Sequence, residues 1–304
     1  MRVLVTGGAG FIGSHIVDAL LANGHEVRVF DNLSTGTRTN VATSAELLIG
    51  DIRDYDAVRA AVEGCDLVYH EAALVSVPLS VERPLDNHAI NTTGTVNVFE
   101  AARCAGVRRV VFASSAAVYG EPETMPIAES AKLNPLSPYA LSKLMNEQLA
   151  QLYNELYGME IVGLRYMNVF GPRQRADSPY SGVISIFLDR VRNGQPLTIH
   201  GDGEQTRDFI AVADVVRANI HAGTAPFSHA IANVGRGKQT TVKELVEVIQ
   251  TVVGNQVEVS YGESRAADIR HSCADTRRAT EWGFSAETAL NAGLSQTYRW
   301  LNAQ

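Results

Sequence analysis

A β-branched run near the start of the chain, RVLVT (2–6), ends in Gly7-Gly8-Ala9-Gly10-Phe11-Ile12-Gly13 and passes directly into an apolar stretch of helical period, 12–23. The turn satisfies G-x-G-x-x-G from Gly8 and G-x-x-G-x-x-G from Gly7. Glycines suit such a turn because the chain must bend tightly, approach a diphosphate without a Cβ in the way, and let the helix pack on the strand. The helix N-terminus then faces the anion. A second strand-like run, EVRVF (26–30), leads to Asp31. A carboxylate there accepts both ribose hydroxyls of NAD and repels a 2′-phosphate. Alone, the glycines could form a plain turn and Asp31 a cap, but the strand before, the helix after and the carboxylate beyond together select dinucleotide binding.

The alternation continues through ELLIG (46–50), DLVYH (66–70), RRVVFA (108–113) and EIVGLR (160–165), with helical stretches at 55–63, 85–105 and 138–157. Strand–helix–strand repeats of this length imply right-handed crossovers and a parallel sheet. Six strands fit an α/β fold with a doubly wound parallel Rossmann sheet, and residues 1–166 are expected to form an NAD-binding domain. Beyond about residue 170 the pattern weakens to short segments such as PLTIH (196–200) and QVEVS (256–260) between Gly-rich or polar turns. Residues 167–304 are therefore expected to form a second, smaller α/β substrate lobe, from which a strand near 229–234 could return to the first sheet.

Composition narrows the function classes. With 304 residues, 45% hydrophobic and 19% charged, the chain is globular, and no apolar run approaches the roughly 18 residues a membrane span needs. A formal net charge of −7 repels phosphate backbones, so nucleic acid is not an expected partner. The start, MRVLVTGG, shows no secretory leader, and Cys65, Cys104 and Cys273 lie far apart. That spacing offers neither a disulfide framework nor a metal site and suits a cytoplasmic protein.

Candidate chemistry lies at two places. Ser137-Pro138 suits a helix start, and Tyr139 and Lys143, four residues apart, then share a face. An ammonium near a phenol favours phenolate, lowering its pKa from about 10 toward general-base work. Ser114 and Ser115 follow a sheet strand, at the carboxyl end where such sheets bind ligands, so a hydroxyl there can hydrogen-bond a reacting oxygen and the phenol. His70 also ends a strand and is read as a structural histidine.

These residues carry a resemblance. TGGAGFIG, Asp31, GDIRD (50–54), SSAAVYG (114–120), YALSK (139–143) and RYMNVFGPRQ (165–174) look like the extended short-chain dehydrogenase/reductase family, and most like its NAD-dependent nucleotide-sugar epimerases of the UDP-glucose 4-epimerase type. The resemblance spans nearly the whole chain. It implies Tyr139 as base, Lys143 as its partner and ribose contact, and Ser115 as the hydroxyl beside them. It places Asp51 and Ile52 at the adenine, and Gly7, Gly10, Phe11, Ile12, Gly13, Asn32, Asn91 and Tyr166 in the cofactor shell. It assigns the substrate diphosphate to Asn168, Arg207 and Arg265, and the nucleotide ribose to Asp268. Guanidinium suits that task because its charge is planar and permanent.

Within that family the branch is read from Ala116-Ala117, where dehydratases carry an acidic pair and decarboxylases commonly a Glu before the Val-Tyr-Gly. Methyl groups fit a reaction that only oxidises and re-reduces, so 4-epimerisation of a UDP-hexose is expected. Another NDP-sugar epimerase or a dehydratase is the alternative, and a non-catalytic NAD-sensing scaffold would not need Tyr139 with Lys143. Ser272, seven residues after Arg265, stands where a bulky Tyr in the family disfavours N-acetylated sugars, so these are expected substrates too, unless Ser272 faces away and His271 or a neighbour forms the wall. The resemblance also implies a homodimer pairing the helices near 85–105 and 138–157, with Ile90, Val98, Leu144 and Leu149 available either to that contact or to the chain's own core.

Overall fold

Strands buried on both faces read as continuous apolar runs, and three strands here show that signature: β1 (Arg2–Thr6), β4 (Leu67–His70) and β6 (Glu160–Tyr166) are buried at nearly every position. They are central strands of a seven-stranded sheet in a computed structural model that describes residues 1–176, 182–226, 231–264 and 269–304. With β2 (Glu26–Asp31), β3 (Glu46–Ile49) and β5 (Arg109–Ser115), the order is Ile231–Val234, β6, β5, β4, β1, β2, β3. Every pairing from β6 to β3 is parallel. This is the doubly wound order, and it reverses between β1 and β4.

The crossovers are helical. They are α1 (Phe11–Ala22), α2 (Tyr55–Val62), α3 (Val77–Glu82), α4 (Pro84–Asn87), α5 (Gly94–Cys104) and α6 (Pro138–Tyr157). One core cluster joins Val58 and Val62 of α2 and Val98 and Phe99 of α5 to Val68, Val110, Phe112 and Ile161 of the sheet. Helix α6 begins as its sequence requires: Ser137 accepts from the Ala140 N–H at 3.1 Å, Pro138 occupies the first turn, and Gly158 ends the helix at a φ of +65°.

The stretch at 85–105 is not one regular helix. Between α4 and α5 lies a π-helical turn, His88–Thr93, and Thr95 donates back to the Asn91 carbonyl at 2.6 Å. A hydrophobic periodicity cannot reveal a one-residue bulge, which is set by side chains competing for backbone groups.

The chain divides into two units. The first comprises Met1–Gly120, Leu133–Tyr166 and Val216–Ala232; the second comprises Glu121–Lys132, Met167–Val215 and Asn233–Gln304. In the second, helices Val183–Arg192, Val242–Val253 and Leu290–Asn302 enclose a core that includes Phe170, Phe187, Leu197, Leu245 and Leu294. The Val242–Val253 helix starts in a capping box: Glu244 N–H donates to Thr241 Oγ1 at 3.0 Å, and Thr241 N–H to Glu244 Oε2 at 2.7 Å. The expected strand at 256–260 forms later, at Val259–Gly262, because its partner Leu197–His200 begins opposite Val259 and the Val257 carbonyl is taken by Gln250 Nε2.

An ion pair is buried in the first unit. Arg165 on β6 donates from Nε and Nη2 to both carboxylate oxygens of Glu147 on α6, at 2.8 and 2.7 Å, with side chains only 4% and 6% exposed. Tyr119 accepts from Arg165 Nη1 at 2.8 Å, and Ser114 donates to Glu147. Removing one member strands the other charge in low dielectric. Glu147→Ala should therefore cost about 3–5 kcal/mol of folding free energy, read as a lower urea midpoint; an unchanged midpoint would refute this account of the pair.

Candidate active site

Reversal of strand order leaves the carboxyl ends of β1 and β4 facing a crevice, and the glycine turn fills the β1 side of it. Gly7 has a φ of +69°, and a Cβ there would stand 2.7 Å from the Ala72 nitrogen. At Gly13 a Cβ would meet the Gly7 carbonyl oxygen at 2.3 Å, so helix and turn touch through backbone. Gly10 caps α1 without a side chain, and no acidic residue follows in the first turn, where Phe11 and Ile12 are half-buried. The positive end of the helix is thus presented to an anion.

Asp31 ends β2 against this turn. Its Oδ2 accepts from Ala9 N–H at 3.0 Å and its Oδ1 from Leu33 N–H at 2.8 Å, which fixes the carboxylate and leaves each oxygen a lone pair. Next to it Asn32 donates to Asp51 Oδ2 at 2.9 Å, while the Arg53 guanidinium grips both Asp51 oxygens and holds that carboxyl well below its usual range. Ile52 is buried against Gly94. Asn32, Asp51 and Ile52 therefore lie together beyond β2 and β3. A backbone cradle with no room for a Cβ, an open helix end and a fixed carboxylate are what a dinucleotide requires, so these residues fit the group.

Asn91 is placed differently. Its amide is spent on the loop after β4, accepting from Leu74 N–H at 2.7 Å and donating to Leu74 O at 2.9 Å. It shapes the crevice wall through Leu74.

On the other side, strand alternation separates the two serines. Ser114 points to Glu147, whereas Ser115 lies near enough the Tyr139 phenol to favour its ionised form and caps the short turn Ala116–Tyr119. Tyr139 sits in the first turn of α6, its N–H donating to Ser80 Oγ at 3.1 Å. Lys143 lies one turn on, its Nζ donating to the Ala113 carbonyl at 2.7 Å and standing 5.9 Å from the Tyr139 ring centroid. Ser115, Tyr139 and Lys143 are thus brought together at the carboxyl end of β5.

The electrostatics differ from the simple expectation that the ammonium lowers the phenol. Burial pushes the Tyr139 phenol up, the Ser115 hydroxyl opposes this, and the Glu71 carboxylate adds to it. Burial draws Lys143 down to about 8, against Glu71 and Glu147, which favour its charge. Desolvation is the larger influence on both.

Glu71 was not singled out from the sequence. It follows β4 directly, its carboxyl raised to about 7 by burial, against a hydrogen bond from Tyr166 and the Lys143 charge. Tyr166, the last residue of β6, donates to Glu71 Oε1 at 2.9 Å and accepts from Asn219 Nδ2 at 2.7 Å, so its hydroxyl faces Glu71. The available signal was position: a charged residue ending a central strand at the reversal of strand order. His70 is structural, as expected. Its Nδ1 and Nε2 share hydrogen bonds with Thr6 (2.7 Å) and Thr95 (2.9 Å), and burial lowers its pKa to about 3.

In the second unit, the segment 206–209 organises the expected substrate residues. Asn168 pairs with Phe209 and is exposed; Arg207 is half-buried, with Nη1 donating to the Thr206 carbonyl at 2.8 Å; the Ser272 N–H donates to Thr206 O at 3.2 Å. Asp208, fully buried, accepts from the N–H groups of Arg236, Gly237 and Ala274 and clasps the segment. Arg265 and Asp268 lie outside the described residues. Among the described residues no group of His, Cys, Asp and Glu could hold a metal ion, and no helix is long and apolar enough to cross a membrane.

A doubly wound sheet carrying a dinucleotide cradle and a buried hydroxyl–phenol–ammonium set defines a dinucleotide-dependent α/β enzyme. Residues 3–235 match the NAD dependent epimerase/dehydratase family, and the chain belongs to it. It is 43% identical over 301 residues to a putative UDP-glucose 4-epimerase of Methanocaldococcus jannaschii, covering 98% of both chains. Among solved structures, it is similar to the UDP-N-acetylglucosamine 4-epimerase of Methanobrevibacter ruminantium in complex with UDP-N-acetylmuramic acid (TM-score 0.96, 39% identity, 100% of this chain and 98% of that one). It is also similar to the Thermus thermophilus UDP-glucose 4-epimerase complex with NAD (TM-score 0.92, 38% identity, 99% of each).

Proposed function

We propose that the protein is an NAD-dependent 4-epimerase of UDP-hexoses, interconverting UDP-glucose with UDP-galactose and UDP-N-acetylglucosamine with UDP-N-acetylgalactosamine. The observation that carries the reading is the buried Tyr139 phenol beside Ser115, with Lys143 one helical turn away and 5.9 Å from its ring centroid, and only Ala116-Ala117 beyond the strand. The activities named for the three 4-epimerases above support it.

Ser115 orients the sugar 4-hydroxyl, and Tyr139 takes its proton. Bound NAD supplies a reversible hydride acceptor. Tyr139 returns the proton once the 4-keto sugar has turned its other face, and Lys143 holds a ribose hydroxyl while its charge favours phenolate. Removal of a second group is not required, which is consistent with methyl groups at 116 and 117. The first unit provides the cofactor and proton-transfer residues. Asn168, Arg207 and Arg265 hold the diphosphate, Asp268 the nucleotide ribose, and Ser272 borders the sugar, within the 167–304 lobe.

Assembly and location complete the reading. Val98 is buried in the chain's own core, and Ile90 and Leu149 pack against that cluster, so these are not free for a partner. Helix α6 instead presents Leu141, Leu152 and Leu156, each at least 47% exposed, as the face for a two-fold homodimer. The three cysteines are unbridged, which suits the cytoplasm.

Tyr139→Phe should keep NAD bound and lose nearly all turnover, because only the proton acceptor is removed; turnover near the parent level would sink the assignment. Ser272→Tyr should depress turnover of the N-acetylated pair at least tenfold more than that of the smaller pair, about the reach of a steric gate. Equal losses on both pairs would place the gate elsewhere. Light scattering at micromolar concentration should give a dimer mass, and a monomer would count against the α6 contact.

A further inference from the structure

Glu71 is a half-buried carboxyl that the mechanism above does not use, and its surroundings are specific. It leaves β4 beside the glycine turn: its N–H donates to the Thr6 carbonyl at 3.1 Å, and the next residue, Ala72, is the one a Cβ on Gly7 would strike. Its Oε1 accepts from Tyr166 at the end of β6, and Tyr166 is steadied by Asn219 from the helix Val212–Thr224. His70 pairs with Phe112, so Glu71 comes level with Ala113, whose carbonyl accepts from Lys143 Nζ, and Tyr166, which holds Glu71, pairs with Ser115; the Glu71 charge accordingly acts on both Tyr139 and Lys143. The other titratable groups around this cluster are accounted for. His70 is engaged at both ring nitrogens by threonines and is neutral, Glu147 is paired with Arg165, and Tyr69 and Tyr166 are buried phenols whose pKa values burial raises. Glu71 is therefore tethered by a neutral hydroxyl, with no Arg or Lys in a salt bridge with it among the described residues, and it carries its charge only above about neutral pH.

We propose that Glu71, held by Tyr166 and Asn219, is a positioning residue whose charge sets the pH window in which the Tyr139–Lys143 pair can exchange a proton with substrate. The sign follows from Coulomb's law. A nearby negative charge disfavours phenolate, so it raises the pH at which Tyr139 becomes a base; it favours ammonium, so it also raises the pH at which Lys143 loses its charge. The two limbs of the window move together. Because Glu71 itself titrates near neutrality, the three groups release their protons as a coupled set rather than one by one. The inference rests on the reading of Tyr139 as base given above, and it adds a residue that touches neither substrate nor reacting atoms.

Glu71→Gln keeps the shape and an acceptor for Tyr166 while deleting the charge. In the holoenzyme, both limbs of the kcat/KM pH profile should then move to lower pH, by about one unit, the low end of what a neighbouring charge does. Tyrosinate absorbance gives a second readout that needs no turnover: the ionisation step missing from Tyr139→Phe should shift down in Glu71→Gln. Glu71→Asp, which keeps the charge and shortens the reach to Tyr166, should restore the limbs toward their parental positions even where kcat falls. Limbs and tyrosinate step unmoved in Glu71→Gln, or moved equally by Glu71→Asp, would overturn the inference. High turnover by Tyr139→Phe would instead overturn the base assignment, so the two failures are distinguishable.

Discussion

The site depends on keeping one ammonium buried. Lys143 sits among sheet, helix and crevice with almost no exposure, and desolvation alone would strip its charge. Three features oppose that: the Ala113 carbonyl at 2.7 Å, and the carboxylates of Glu71 and Glu147. Each is supplied by the fold. Ala113 lies within β5, Glu147 is one turn further along α6, and Glu71 directly follows the end of β4. Glu147 can serve Lys143 electrostatically only because Arg165, Ser114 and Tyr119 already anchor its pair, so the structural ion pair and the proton-transfer site are one network.

The threonine–histidine chain beneath shows how the same crevice avoids a second charge. The Thr95 hydroxyl has a single proton, and it is donated to the Asn91 carbonyl. Thr95 must therefore accept from His70, which places the imidazole proton on Nε2 and leaves Nδ1 to accept from Thr6. With both nitrogens so committed, and Lys143 nearby disfavouring a further positive charge, the ring is neutral throughout the physiological range. A histidine at a strand end need not be a catalyst; here it ties β1, β4 and α5 together.

What could be read in the sequence follows from physical period. β1, β2 and α6 begin where the pattern places them because strand alternation, the glycine turn and the Ser-Pro cap are local signals. The close backbone contacts at Gly7 and Gly13 and the strand-end position of Asp31 were likewise readable, since they follow from backbone conformation and position. The π-turn at His88–Thr93 was not, because it arises from Thr95 and Asn91 redirecting backbone bonds. Nor was the division of labour between Ser114 and Ser115, which depends on Glu147 reaching one face of β5 from a distant helix. Tyr166 and Asn91 were placed in the cofactor shell by resemblance; that their polar groups bind Glu71 and Leu74 could not be read from the sequence. Such tertiary partnerships carry no local signature.

Burial of the phenol has a consequence for catalysis. A base is useful when its proton affinity matches the task, yet desolvation and Glu71 both keep the proton on Tyr139. The Ser115 hydroxyl opposes them by favouring the ionised phenol, and under the proposed mechanism it does so at the oxygen that exchanges the proton. A 4-epimerase must deprotonate a hydroxyl on the outward step and reprotonate a carbonyl-derived oxygen on the return, so a very acidic tyrosine would fail the second half as surely as a very basic one would fail the first. Opposed influences of burial, the neighbouring hydroxyl and charge can place the phenol between those limits. On this view Glu71 and Ser115 are complementary, one favouring return of the proton and the other its removal, and the near-symmetric demand of the reaction explains why both stand beside a single tyrosine.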